Sequence, residues 1–535
     1  MIRTAHWPPD ESVELWELTL GDLLARAAED AATVPALRSG SDDRTWTYRE
    51  LWHAASAVAG AVAGMLRPGE RLAVWSTGLP EWVLLQFGAA MAGVTLVPLN
   101  PVYRASELRY ALRQSGAGAV FYGPEVRGRS LREVVELVQP DCPDLTAALP
   151  LAELIGWAEG SRRSALPSVA PDAPVMIQYT SGTTGRPKGA VLTHRGIVNN
   201  ARLSALRAGV ADGGVWLNPL PLFHTGGCVF NALGAMATRA THVLMPVWDA
   251  GRALELIERE RVSFLCSVPT MLIDLIEHPD FGRRDLASLR YVLSGGTTIP
   301  PEMVRRFESA LGIEYTMVFG QTEGGPTITM THPHDSPEDK SSTIGQPLPH
   351  TEVRILDLDT GRTADVGRTG EICLRGYGRM LEYFDQPDET AAAIEPDGWL
   401  HTGDLGQMDE RGYLSITGRL KDIIRRGGET ISPRAIEDLL FGQPEVAEVA
   451  VVGVPDERFG EQVAAFVVPS PGGQPDLLAL RTRVAEHLAP HKVPTFWLVV
   501  AEFPRTPSGK VQKFALRDGF AAGEYAAQTL LVGRR

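Results

Sequence analysis

Apolar runs alternate with helix-forming stretches over most of this chain. Thr47-Tyr48-Arg49-Glu50 opens a helix rich in Ala and Val, and residues 71–75 read as a strand. Pro80 starts the next helix, Gly93 stops it, and residues 94–97 form another strand. Ser106 is expected to cap a helix beginning at Glu107, with a strand following at 119–121. Residues 175–178, 263–268, 291–293 and 317–319 are further strand candidates, and 250–261 is a helix. Strands that are apolar throughout, separated by helices, imply a mostly parallel sheet covered on both faces. Residues 161–174, with three prolines, read as a surface connection.

Beyond Pro347 the strands shorten, at 352–356, 371–375 and 413–416, as in a small barrel or distorted sheet. The C-terminal stretch has its own α/β pattern: strands at 447–454, 462–468 and 496–500, and a helix at 476–488. The texture changes near Gly418-Arg419-Leu420-Lys421-Asp422. The expected fold class is α/β: a large N-terminal domain (1–420) of layered, mostly parallel sheets with helices plus a distorted barrel, and a small mobile C-terminal α/β lid (421–535).

Composition narrows the picture. A chain of 535 residues is too long for one core. A net charge of −14 and a pI near 5.4 argue against nucleic-acid and anionic membrane surfaces as partners. Cys142, Cys228, Cys266 and Cys373 are widely spaced, so neither a disulfide framework nor a zinc motif is indicated. The longest apolar run, 82–99, is broken by Gln86, Gly93, Thr95 and Pro98, whereas a membrane span needs about 20 cleaner residues. It reads as a buried helix and strand. With no apolar core near the N-terminus, a cytoplasmic protein is expected.

The chemistry gathers in four places. Thr180, Ser181, Gly182, Thr183, Thr184 and Gly185 lead to Lys188, a loop of hydroxyls and glycines ending in a cation, which suits a polyphosphate. It is not a Walker loop: Pro187 and Gly189 flank the lysine where Gly and Ser or Thr would be needed. Phe319-Gly320-Gln321-Thr322-Glu323 follows a strand, where open α/β sheets bind ligands, and Ser294-Gly295-Gly296-Thr297 ends the preceding strand in the same way. Together they outline a flat slot; read singly, each is also compatible with an ordinary turn. His401-Thr402-Gly403-Asp404 with Gly418-Arg419 offers a carboxylate for paired hydroxyls, or a plain loop ion pair. Pro504-Arg505-Thr506-Pro507-Ser508-Gly509-Lys510 places a lysine on a rigid turn, either a tail charge or a residue delivered to a site built elsewhere.

These motifs, with Pro221-Leu222-Phe223-His224-Thr225-Gly226-Gly227, stand in the order of the adenylate-forming superfamily, and from about Thr45 to Lys513 the chain resembles it. That superfamily comprises acyl- and aryl-CoA synthetases, stand-alone adenylation domains and beetle-type luciferases. Gly320-Gln321-Thr322-Glu323 and Asn100-Pro101-Val102-Tyr103 look most like the fatty- and medium-chain acyl-CoA ligase branch. The resemblance implies ATP, Mg²⁺ and coenzyme A as reactants and cofactors, and a small carboxylic acid as substrate. By it, residues 180–188 enclose the pyrophosphate, and Thr180 and Glu323 hold Mg²⁺. Phe319 and Gly295 to Gly296 take the adenine within the slot that includes Thr297, Gly320 and Gln321. Thr322 takes the α-phosphate, Asp404 and Arg419 the ribose, and Lys510 the reacting oxygens. His224 lies beside the acyl group. The lid is expected to rotate about Lys421, replacing Lys510 by Gly427-Gly428-Glu429 for thiol attack, and a homodimer is one assembly considered.

Thr430, Ser432 and Thr495 depart from the residues usual in CoA ligases, and Gly324-Gly325-Pro326-Thr327 leaves room for a ring or polar group. A second step to a carrier protein, to an amine, or through another oxyanion such as nitrite towards an aryl amine is therefore the alternative. A nucleotide-binding module without turnover is disfavoured, because Lys188, Glu323, Asp404, Arg419 and Lys510 are all present.

Overall fold

The computed structural model describes residues 2–180, 187–295, 299–505, 511–525 and the strand Thr529–Leu531. Ser181 to Gly185, Gly296, Thr297 and Lys510 lie outside the described residues.

Two large sheets carry the N-terminal part. One has six strands, in the order Lys188–Thr193, Pro174–Thr180, Thr95–Leu99, Arg71–Trp75, Ala117–Tyr122 and Ala147–Pro150. All its neighbours are parallel except the first pair, which runs antiparallel. The other has nine strands, and its parallel centre runs Glu314–Phe319, Tyr291–Gly295, Phe264–Ser267, Val215–Asn218, Thr241–Leu244 and Pro35–Ser39.

Helices cover these sheets for legible reasons. In Tyr48–Met65 the first turn is closed reciprocally: the Glu50 N–H donates to Thr47 Oγ1 at 3.3 Å and the Thr47 N–H to Glu50 Oε2 at 2.8 Å. Pro80–Met91 starts at its proline and is buried on every side except at its last residue. Each large apolar side chain it buries, such as Trp82, Leu84 and Phe87, is worth about 1.5–3 kcal/mol. This helix packs so tightly on Tyr48–Met65 that a Cβ at Gly88 would stand 2.5 Å from Val58 Cγ1. Burial thus accounts for the long apolar run, and no helix among the described residues is long and apolar enough to cross a membrane.

Two expectations need adjusting. The helix expected to begin at Glu107 spans Ala105–Ser115, and Ser106 lies inside it. Glu107 reaches back to the Arg104 N–H at 2.8 Å, and that closure sets the start instead of the serine. The proline-rich connection at 161–174 is tied down: the Ser164 N–H donates to Gly60 O at 3.0 Å, and a Cβ at Gly64 would stand 2.3 Å from Arg162 O.

Past Pro347 comes a five-stranded antiparallel sheet, ordered His6–Trp7, Thr351–Leu356, Gly370–Gly376, Leu400–Met408 and Leu414–Arg419. The N-terminal strand in it had no signal in the sequence. The C-terminal unit follows the expected pattern, with the long antiparallel pair Val446–Asp456 and Gly460–Pro469, the strand Phe496–Val499 and the helix Leu477–His487. Its apolar side chains form cores of their own around Trp497 and Phe466.

Candidate active site

The two large sheets meet at the carboxyl ends of their strands. Thr180 is the last residue of Pro174–Thr180, and Glu323 sits on the short helix Thr322–Gly324 that follows Glu314–Phe319. The Thr180 hydroxyl donates to Glu323 Oε1 at 3.0 Å, joining one sheet to the other. The phenol of Tyr383 donates to the same oxygen, also at 3.0 Å. Burial and the Glu323 carboxylate push the Tyr383 phenol well above its ordinary range, so it stays a donor.

Lys188 resumes the chain at the far end of the loop and opens the antiparallel strand Lys188–Thr193. Its ammonium pairs with Glu389, on the helix Pro387–Ala393, and lies 4.9 Å from the centre of the Tyr383 ring. The segment that carries Tyr383 is itself pinned beside this strand. The Leu381 N–H donates to Val191 O at 2.9 Å, the Val191 N–H to Glu382 O at 2.9 Å, and the Phe384 N–H to Gly189 O at 2.7 Å.

The expected slot has a physical basis. Tyr291–Gly295 and Glu314–Phe319 are parallel neighbours, with Gly295 opposite Val318. A Cβ on Gly295 would stand 2.6 Å from Val318 Cγ1, and one on Gly320 would stand 1.7 Å from Pro326 O. Glycine at 295 thus lets the two strand ends lie flush, and glycine at 320 lets the chain returning through Pro326 press against the end of Glu314–Phe319. Phe319 is half-buried at this edge, and Gln321 and Thr322 follow it with their side chains half-buried.

Asp404 and Arg419 face each other across Leu400–Met408 and Leu414–Arg419. Arg419 Nε donates to Asp404 Oδ1 at 2.8 Å; the aspartate is buried and the arginine exposed. The turn before Asp404 is built by its neighbours. Gly403 has φ +70°, and its N–H donates to Glu371 Oε1 at 2.9 Å. His401 lies between two carboxylates, with Nδ1 2.9 Å from Glu371 Oε2 and Nε2 3.0 Å from Glu395 Oε1. Glu371, Cys373 and His401 bring donor atoms within 4.8 Å of one another. The Cys373 sulfur, 3.6 Å away, and the Glu371 carboxylate push the His401 imidazole up to about 10, so a proton supplies the positive charge these groups demand.

His224 follows Val215–Asn218, at the same edge of the nine-stranded sheet, and is exposed. Its Nδ1 accepts from the Gly226 N–H at 3.0 Å, which leaves Nε2 to carry the proton in the neutral ring. The structure thus brings Thr180, Glu323 and Lys188 around one loop and pairs Asp404 with Arg419. His224 stands two strands from Tyr291–Gly295. Tyr383 and Glu389 were not identified from the sequence; the aromatic pair Tyr383-Phe384 before Pro387 was the only local hint.

At the far end, Ser432 Oγ donates to Thr417 O at 2.6 Å, and a Cβ on Gly418 would stand 2.5 Å from Ser432 Oγ. The small residue at 432 is therefore matched to the glycine it packs on. Thr495 Oγ1 donates to Gln462 Oε1 at 2.9 Å, an oxygen that also accepts from Arg426 Nε at 2.7 Å.

Comparison with known proteins places the chain among characterised folds and families. The AMP-binding enzyme family model matches residues 24–384, and the AMP-binding enzyme C-terminal domain model matches 435–510. The chain is similar to the mitochondrial medium-chain acyl-CoA ligase ACSF2 of Bos taurus, at 34% identity covering 94% of this chain and 87% of the relative. Among solved structures it is similar to ATP-bound MatB from Rhodopseudomonas palustris, at 29% identity, TM-score 0.84 and coverage of 94% and 99%. It is also similar to the amide bond synthetase McbA from Marinactinospora thermotolerans, at 29% identity, TM-score 0.81 and coverage of 94% and 100%.

Proposed function

Because the chain belongs to the AMP-binding enzyme family, we propose that it adenylates a small acyl or aryl carboxylic acid with ATP and transfers the product to coenzyme A. At the coarser level it is an AMP-forming acid–thiol ligase of the acyl-CoA synthetase type. The observation that supports the adenylation step is the junction of Thr180, Glu323 and Lys188, where two sheets present a hydroxyl, a carboxylate and a cation around one loop.

In the first step a carboxylate oxygen attacks the α-phosphorus of ATP and pyrophosphate leaves. Nucleophile and target are both anionic, so positive charge and N–H donors must stand where charge accumulates. Lys188 supplies charge at the pyrophosphate, and Lys510 supplies it at the α-phosphate and carboxylate. Thr322 adds a donor at the α-phosphate, and Asp404 accepts from the ribose hydroxyls beside Arg419. The flush glycine edge beside Phe319 takes the adenine. Thr180 and Glu323 suit Mg²⁺, because they set a hydroxyl and a carboxylate side by side, the hard oxygen ligands that such an ion takes. Bound there, the ion would offset the charge of the phosphate oxygens.

The second step requires Lys510 to leave. A thiol attacks the acyl carbonyl of the adenylate and AMP departs. A rotation of residues 421–535 near Lys421 withdraws Lys510 and brings Gly427-Gly428-Glu429 to line the thiol path, with His224 beside the acyl group. The setting is cytoplasmic.

A second reading, with an amine as acceptor, is supported by the likeness to an amide bond synthetase and by Thr430, Ser432 and Thr495. Screening acids by pyrophosphate release, with and without coenzyme A, tests both. The CoA reading expects AMP formation under turnover to depend on coenzyme A for the cognate acid, and Lys510→Ala to slow adenylation by roughly 10²–10³. AMP formation that requires an added amine and ignores coenzyme A favours the second reading. Normal adenylation by Lys510→Ala would overturn the first step as drawn.

A further inference from the structure

Tyr383 belongs to none of the motifs read from the sequence, yet it reaches groups at both ends of the phosphate loop, which starts at Thr180 and ends at Lys188. The Tyr383 hydroxyl shares Glu323 Oε1 with Thr180, at 3.0 Å from each donor. The face of its ring carries the Lys188 ammonium at 4.9 Å. The ring is buried, with 9% exposure, and the Tyr383 N–H donates to Thr390 Oγ1 at 2.9 Å. Its backbone also bridges to Ala190 on the strand that Lys188 opens. This phenol is held in place from three sides.

We propose that Tyr383 is a positioning residue for nucleotide binding, fixing the Glu323 carboxylate and the Lys188 ammonium in one geometry on either side of the loop. The inference rests on reading Thr180, Glu323 and Lys188 as the Mg²⁺ and phosphate groups. With two donors on Oε1, the other carboxylate oxygen is left for the ion, and the carboxylate cannot swing towards Lys188. That separation matters because a carboxylate free to rotate would pair with the nearby cation, and both groups would then be withheld from the ligand. The ring acts on the cation in a complementary way. An ammonium over an aromatic face is stabilised without a counter-anion, so Lys188 can exchange Glu389 for a phosphate without leaving its place.

The two halves of the role separate by substitution in the full chain. Tyr383→Phe keeps the ring and loses the hydroxyl; Tyr383→Leu loses both. The readout is equilibrium ATP binding by calorimetry across a series of Mg²⁺ concentrations, which needs no turnover and no knowledge of the acid. Tyr383→Phe is expected to raise the Mg²⁺ concentration for half-maximal ATP binding by roughly tenfold, the usual worth of a hydrogen bond to a charged group. ATP affinity at saturating Mg²⁺ should then change little. Tyr383→Leu is expected to weaken ATP binding a further few-fold even at saturating Mg²⁺, from loss of the ring under the cation.

Wild-type binding with an unshifted Mg²⁺ profile in Tyr383→Phe overturns the role of Tyr383 and leaves the proposed function standing. A lowered melting temperature in both variants, with wild-type Mg²⁺ dependence and affinity in the folded protein, does the same by assigning Tyr383 to packing alone. Failure of the wild-type chain to bind ATP at any Mg²⁺ concentration removes the premise and the inference together.

Discussion

Glu389 holds the cation that a triphosphate would claim, and replacing it with glutamine should tighten ATP binding. In the structure Lys188 is 15% exposed and its partner 42%, so the pair sits at the boundary between protein and water. Unit charges there attract by a few kcal/mol before desolvation and side-chain ordering are set against it, and exposed pairs retain about 0.2–1 kcal/mol. The largely buried lysine places this pair near the upper end, about 1 kcal/mol. Since 1.4 kcal/mol is tenfold in affinity, Glu389→Gln should lower the Kd for MgATP by roughly 3–5-fold. The glutamine keeps the shape of the side chain, and Lys188 keeps its ring contact with Tyr383. Calorimetric titration with MgATP at low salt is the direct assay, and the gain should shrink as added salt screens the pair. Unchanged or weaker binding in Glu389→Gln would refute the reasoning, since weaker binding would make Glu389 a guide for Lys188 and not its competitor.

Two further outcomes test the site's framework. His401 is held protonated, up to about 10 against an ordinary 6.5, by Cys373 and Glu371, with Glu395 on its other nitrogen and Arg354 beyond. A raised folded value means the stabilisation is fully present below pH 6.5 and is lost as pH climbs through about 10. The shift caps it at about 5 kcal/mol, and solvent screening of this partly exposed group leaves about 1–2 kcal/mol. The stability gap between wild type and His401→Gln in denaturant melts should therefore narrow from pH 7 to pH 10, and a constant gap would count against the ion cluster. Gly320→Ala places a Cβ 1.7 Å from the Pro326 carbonyl, so it should destabilise by about 1–3 kcal/mol and weaken ATP binding; a melting temperature equal to wild type would contradict the tight return of the chain through Pro326 described there.

Much of this architecture could be read from residues in order because its causes are local. Pro80 and Gly93 bracket a stretch that is apolar all round, and the helix between them is accordingly enclosed. The Thr47–Glu50 closure is likewise contained within one turn. At Ser106 local reasoning failed through a competitor equally close by: the Glu107 carboxylate reaches the Arg104 N–H and starts the helix earlier. The strand containing Asp404 was hidden by Gly403, whose positive φ interrupts an otherwise regular run. Tyr383 and Glu389 lay beyond reach for another reason, since their partners are 60 and 201 residues away along the chain. The aromatic pair Tyr383-Phe384 is a local hint of burial, but it does not signal an approach that only the assembled sheets create.

The two-residue strand His6–Trp7 has a consequence for handling the protein. It lies along the outer rim of the sheet whose opposite rim carries Arg419, and it occupies backbone groups of Thr351–Leu356 that would otherwise face solvent. An uncovered rim of that kind recruits strands from other molecules. Trimming the N-terminus would thus invite self-association at one margin of the ribose-side sheet, with Asp404 two strands away from Thr351–Leu356 and exposed to any distortion that follows.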